Sequence, residues 1–158
     1  MLETREISDR LEIAERIQLY FRAMDTWNYA LLEQVFTPDA RMHYEMKSGA
    51  PATTLRQMLP QFREFNRHFS FMQHIGAQLL IEIRGDEASA SHNLRALHVQ
   101  TALDGREQRW AVYGVYRDQL VRTSAGWRIR ERQFRAQRIE GQLLPFDQVR
   151  AYESPPWL

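Results

Sequence analysis

Two residues invite a chemical reading before any element is drawn. Asp25 closes the stretch "LYFRAMD", and His74 sits near the start of the apolar run "SFMQHIGAQLLIEI". Asp25 falls four residues after Phe21 and eight after Ile17, on the apolar stripe of a helix and in its last turn. The helix dipole disfavours a negative charge there, so the carboxylate needs a cationic or hydrogen-bonding partner, or its pKa rises. The plain alternative is a turn residue that starts the next element. His74 carries the side chain best suited to move a proton near neutral pH, though a satisfied core histidine or a surface strand residue fits the same position. Strict alternation sets His74, Gly76, Gln78 and Leu80 on one face and Ile75, Ala77, Leu79, Ile81 and Ile83 on the other, unless a bulge at Gly76 changes the parity. Tyr44 shares a face with Met42 and Met46, as a core tyrosine with a tethered hydroxyl would. His98 shares one with His92, Leu94, Ala96 and the small Ala88 and Ala90.

Much other chemistry is excluded. The chain of 158 residues has no cysteine, which removes disulfides, thiolate nucleophiles and Cys-ligated metals. His92 and His98 lie about 20 Å apart on a strand, and no HExxH motif is present, so no metal site is expected. No GxSxG elbow, P-loop or dinucleotide GxGxxG occurs. Lys and Arg number 21 against 20 Asp and Glu, a net charge of +1, so no overall field draws the protein to nucleic acid or to an acidic membrane. The segment "WRIRERQFRAQR" places Arg128, Arg130 and Arg132 on one strand face, read as solvated because Glu107, Glu131 and Glu140 dilute it. The start "MLETREISDR" has no apolar signal core, and no run is long enough to span a membrane; a cytoplasmic protein is the expectation.

The elements that must position these residues follow from periodicity. In "SDRLEIAERIQLYFRAMD", Leu11, Ala14, Ile17, Phe21 and Met24 recur at helical spacing, and Asp9 with Glu12 suggests a capped start. Asn28 is placed to cap a short second helix, "YALLEQVF", and "TPDA" reads as a turn. "RMHYEM" alternates like a half-buried strand, and "KSGAPA" reads as a loop. Thr54 with Gln57 forms a capping box for a helix through "LRQMLPQFREF", in which Pro60 either kinks the helix or marks its true first turn. Four strands follow, near Met72–Arg84, Ala88–Ala102, Gln108–Arg122 and Trp127–Arg138, punctuated by "IRGDE", "ALDGRE" and "TSAGW". The tail "LLPFDQVRAYESPPWL" reads as an arm that docks on a surface. Helices followed by an antiparallel meander make an α+β domain spanning 1–158, with its core at about 7–139 and the arm at about 140–158. A curved sheet of this kind can close an apolar cavity against its helices.

The stretches "LYFRAMDTWNYALLEQVFTPDARMHYE", "FMQHIGAQLLIEIRGDEASASHNLRALHV" and "VYRDQLVRTSAGWRIRERQF" resemble SnoaL-like proteins, a branch of the nuclear transport factor 2-like superfamily, over roughly Ile7 to Ile139. The resemblance implies a cone-shaped barrel in which a curved antiparallel sheet wraps N-terminal helices around a deep pocket, in a homodimer or homotrimer. Within the family the chain is most similar to scytalone dehydratase and the bile acid dehydratases. Those enzymes eliminate water without a cofactor, using an Asp–His pair and pocket tyrosines. Carried over residue by residue, the aspartate of "FRAMD" is Asp25, the histidine of "FMQH" is His74 and the tyrosine of "RMHY" is Tyr44. "LRALH" gives His98 as a second pocket histidine, and "LYFRAMD" gives Tyr20. Gly114 and Tyr116 stand where scytalone dehydratase has serine and asparagine, and Met24 where it has tyrosine, which argues against scytalone itself as substrate. Tyr20 and Asp25 lie about 140° apart on an ideal helix, so one of them needs a distortion to join the pocket.

The expectation is thus a cofactor-independent lyase, a dehydratase acting on a hydrophobic cyclic hydroxy-carbonyl substrate. His74 is then the base and later the acid, Asp25 orients it, and Tyr44, Tyr20 and His98 polarise or position. Trp27, Phe71, Trp110, Tyr113 and Tyr116 are candidates for the pocket wall or, for the first four, subunit contacts. The rivals are an isomerase or polyketide cyclase using the same pair, and a non-catalytic ligand-binding or small-subunit module. The last of these predicts a pocket that is filled or lacks the pair.

Overall fold

A computed structural model describes residues 3–45 and 52–158. Helix α1 (Thr4–Asp25) leads through a 3-10 turn (Tyr29–Gln34) into β1 (Phe36–Glu45). The short β2 (Thr53–Thr54) and α2 (Leu55–Asn66) follow, and then four long strands: β3 (Phe71–Arg84), β4 (Glu87–Thr101), β5 (Glu107–Thr123) and β6 (Gly126–Gly141). The three expected turns join these strands as hairpins, with Gly85 at φ 65° supplying the positive backbone angle that the tight β3–β4 turn requires. The capping box at Thr54 and Gln57 is present in full, and Pro60 lies inside α2 rather than in its first turn.

The six strands form one sheet in the order β2-β1-β6-β5-β4-β3. It is mixed rather than wholly antiparallel, because β1 runs parallel to β6. Three hairpin reversals bring β6 back in the direction of β1, and the long intervening chain permits a parallel pairing that a tight turn cannot make. Nor is the barrel closed: β2 and β3 remain edges. The architecture is the α+β cone, with α1 lying against β3 and β6 and the core between helix and concave face.

Several local expectations give way to tertiary contacts. "TPDA" is not a free turn but an irregularity within β1, between Phe36 paired to Ile129 and Arg41 paired to Glu131; a sheet accepts proline at such a point. "YALLEQVF" yields only a 3-10 turn, and the Asn28 side chain makes no cap hydrogen bond. Helix α1 begins at Thr4, so Asp9 lies within it, buried, and receives both guanidinium nitrogens of Arg122 at 2.7 and 2.6 Å and the indole N–H of Trp127 at 3.1 Å. The buried face of α1 is Ile13, Ile17, Tyr20, Phe21 and Met24, whereas Leu11 is exposed. Met46 and most of the "KSGAPA" loop lie outside the described residues.

Two bulges decide which side chains face inward. In β3 the register slips between Ala77 and Leu80, where Gln78 adopts φ 55°. Met72, His74 and Gly76 point in before it, and Leu79, Ile81 and Ile83 after it, while Ile75 and Ala77 face out. The bulge comes just past Gly76, so His74 gains the inner face without turning the later apolar residues outward. In β6 a slip between Leu120–Ile129 and Gln119–Glu131 sends Arg132 into the core, where it is fully buried. The expected solvated arginine face therefore holds for Arg130 but fails for Arg132.

Candidate active site

The C-terminus of α1 abuts the start of β3, and this contact places Asp25 against His74. The Nδ1–H of His74 donates to Asp25 Oδ1 at 2.6 Å, and the backbone N–H of His74 donates to both carboxylate oxygens at 3.1 Å. Strand donors thus satisfy a carboxylate that the helix end would otherwise leave in an unfavourable field. A carboxylate only accepts, so the proton of the neutral ring sits on Nδ1 and the Nε2 lone pair is free. His74 lines a cavity of about 790 Å³ and its side chain is 7% exposed. The volume is within the range of small-molecule sites.

The ring is held from two sides. Phe21 lies parallel to it, with centroids 6.1 Å apart and planes at 12°. Gly76 makes room, because a Cβ at that position would collide with the Phe21 ring. His98 approaches edge-on at 5.6 Å, itself enclosed by Phe69 at 4.8 Å and Trp110 at 4.9 Å. Burial, helped by the neighbouring His74, holds the His98 imidazole well below its ordinary pKa, so it stays neutral at pH 7 and its Nδ1 has no protein partner.

At another part of the wall three tyrosines meet. The hydroxyls of Tyr20 and Tyr44 are 2.7 Å apart and those of Tyr20 and Tyr116 3.5 Å apart, and all three residues line the cavity. Burial, with Tyr20 alongside, raises the Tyr44 and Tyr116 phenols well above their usual value, so they are hydrogen-bond donors at any physiological pH. Behind them, out of the cavity lining, Arg132 makes a bidentate pair with Asp118 at 2.7 Å for both bonds. Burial alone would raise the Asp118 carboxyl, but the Arg132 charge and hydrogen bonds outweigh it and the net shift is downward. Among the described residues no group of three His, Asp or Glu is arranged to hold a metal ion.

A family model described as a SnoaL-like domain matches residues 5–133. The chain belongs to this family. An uncharacterized protein of Mycobacterium tuberculosis is 32% identical over 131 residues, covering 82% of this chain and 86% of the relative. Among solved structures, the Kfla4162 protein from Kribbella flavida superposes with a TM-score of 0.78 at 29% identity, over 85% of this SnoaL-like chain and 95% of its own. A scytalone dehydratase-like protein from Novosphingobium aromaticivorans shares the fold at TM-score 0.70 and 16% identity, over 94% and 95% of the two chains.

The sequence-derived residues divide cleanly within this SnoaL-like frame. His74, Tyr20, Tyr44, His98, Trp110 and Tyr116 line the cavity. Asp25 does not line it but reaches His74 from behind; α1 is unbroken to Asp25, so the angular offset from Tyr20 needs no distortion. Trp27, Phe71 and Tyr113 are not on the cavity wall. Trp27 and Phe71 each meet Trp157 of the arm edge-on at 5.7 Å. Tyr113 is on the outer sheet face, where its hydroxyl donates to Glu140 at 3.1 Å. Alternation along β5 already separates Tyr113 from Tyr116 by parity, a signal that could have excluded it.

Sequence reasoning missed the opposite wall. Met58, Phe62 and Phe65 of α2 and Leu143 and Phe146 of the arm line the cavity. The spacing of the three α2 residues marks one helical face, but nothing local says that the face closes a pocket. The arm is fixed by the Gln100 side chain, which donates to the Leu144 carbonyl and accepts from its N–H, and by a bridge between Ala102 and Val149.

Proposed function

We propose that the protein is a cofactor-independent lyase that eliminates water from a neutral, hydrophobic cyclic hydroxy-carbonyl compound. One observation carries the reading: an Asp25–His74 pair, bonded through Nδ1, whose histidine lines an open, mostly apolar cavity. In this mechanism Nε2 removes the proton α to the substrate carbonyl, and Asp25 stabilises the imidazolium that forms. The enolate oxygen accepts hydrogen bonds from the tyrosine hydroxyls. The enolate then collapses to the enone, the β C–O bond breaks, and the departing hydroxide takes the proton from His74 as water. His98, neutral and unpartnered at Nδ1, positions the substrate.

A module without activity predicts a filled pocket or a missing pair, so the open cavity and its dyad favour an enzyme. An isomerase or cyclase could use the same base, and the product separates them, because only elimination loses the mass of water. The test is a mass-spectrometric screen of hydroxylated cyclic ketones against the wild type and His74→Ala. Turnover with loss of water that disappears in the variant supports the reading, and equal turnover by both refutes it. The homodimer or homotrimer implied by the resemblance is read from sedimentation equilibrium of the same preparation.

A further inference from the structure

The mechanism above leaves one buried ion pair without a task. Arg132 and Asp118 are both completely buried, and removing two charges from water for a stabilising pair alone gives little net gain, since apolar residues of the same size do as well or better. The guanidinium has a second set of contacts. Its carbon lies 4.2 Å from the centroid of the Tyr20 ring and 4.4 Å from that of Tyr116, so the cation is stacked on two of the three cavity tyrosines. Its Nη1 has no hydrogen-bond partner. Asp118 takes Nε and Nη2 and so fixes the plane of the fork against the rings. His92 is beside Asp118, with Nε2 3.6 Å from Oδ2.

We propose that Arg132 is a positioning residue that acts through the tyrosines: its charge, placed behind the rings rather than in the cavity, makes the hydroxyl cluster an oxyanion site for the enolate. The inference rests on the lyase reading for the identity of the anion, but not for the existence of the anion site. Cation–π attraction orders the two rings, and in a dry interior a positive charge a few ångströms from a phenol strengthens its hydrogen bond to a developing negative oxygen. Because the cation is paired with Asp118 behind the rings, it acts on the phenols at short range while the cavity presents no full positive charge. It therefore takes a neutral carbonyl compound in preference to a carboxylate, and becomes favourable to negative charge only as that charge forms on an oxygen held by the hydroxyls.

The test uses enolate mimics and needs no substrate. Binding of 2-naphthol and of the more acidic 6-cyano-2-naphthol is followed by fluorescence for the wild type, for His74→Ala, for Arg132→Lys and for the pair-deleted Asp118→Leu/Arg132→Met. The wild type is expected to bind the more acidic naphthol a few-fold more tightly at a pH where both free ligands are protonated, because the donors gain most from the oxygen that carries most negative charge. His74→Ala should keep that preference, which separates the anion site from the lyase chemistry. The pair-deleted variant, folded by circular dichroism, should lose the preference, and Arg132→Lys, which keeps the charge but not the stacked fork, should lose part of it. Should the pair-deleted variant not fold, Arg132→Lys alone decides. An unchanged preference in a folded variant lacking the arginine, or no preference in the wild type, overturns the proposal.

Discussion

Asp25→Asn is the substitution that best separates what the carboxylate does by shape from what it does by charge. In the structure Oδ1 accepts both the ring Nδ1–H at 2.6 Å and the backbone N–H of His74 at 3.1 Å. An asparagine oxygen placed there keeps both bonds, and therefore the tautomer and the ring's orientation. Its amide nitrogen replaces Oδ2, which accepts only the second, shared bond from that backbone N–H at 3.1 Å. The ground state thus loses a shared acceptor and sets an amide donor against that N–H, about 1–3 kcal/mol. In the transition state the loss is the countercharge to an imidazolium. General-base steps contribute about 10²- to 10⁴-fold, so kcat should fall by at least about 10², roughly 3 kcal/mol of barrier, with KM little changed and only a modest fall in the melting temperature. The assay is steady-state kinetics on the substrate that the ketone screen supplies, with 15N spectra of His74 checking that Nδ1 keeps its proton in both proteins. A kcat within about threefold of wild type while Nδ1 remains protonated would remove Asp25 from the mechanism, because three-fold is far below what the countercharge must supply.

Three further expectations concern the frame around the site. Hydrogen bonds from Arg122 hold the Asp9 carboxyl at about 2, below its unfolded value near 3.9; a depressed carboxylate stabilises above the unfolded pKa and loses that contribution as pH falls through the folded one. Asp9 thus contributes about 2 kcal/mol at neutral pH, lost between about pH 4 and pH 2, and Asp9→Asn should flatten that acid limb in urea melts. Arg132→Met alone leaves Asp118 buried without its cation and should cost about 3–5 kcal/mol, much of it recovered when Asp118→Leu is added, as a double-mutant cycle in urea would measure. Gly76→Ala forces Phe21 away from its place beside the His74 ring; overpacking of this kind costs about 1–3 kcal/mol, and activity should fall with stability while the more distant Gly85→Ala, at the open turn, leaves activity unchanged.

How much of this was legible in the sequence depends on how local each cause is. The meander, its three turns and the capping box at Thr54 are written in neighbouring residues, and all appear where expected. The dyad was half legible: Asp25 is conspicuous because a carboxylate on an apolar stripe lacks a local partner, but the partner is 49 residues away and came through family resemblance. Arg132 was misread because a bulge is a property of two paired strands, and strict alternation from Arg128 carries it to the wrong face. Asp9 was misread for a related reason, since a cap and a buried ion-pair partner look identical until Arg122 arrives from β5. Phe71 faces out by the same alternation that turns Met72 and His74 in, whereas its contact and that of Trp27 with Trp157 had no local signal, because the stretch around Trp157 carries no period.

The arm has a consequence for how such a protein can diversify. Asp25, His74, the tyrosines and Arg132 all fall within the segment 5–133 matched by the family model, whereas Leu143 and Phe146, which complete the cavity, fall beyond it. The residues of the proposed proton transfer thus lie wholly inside the matched segment, whereas the cavity wall is shared between that segment, with Met58, Phe62 and Phe65, and the arm. On the proposed reading, a chimera that carries another relative's tail on this scaffold should keep the reaction and change the choice of compound only in part.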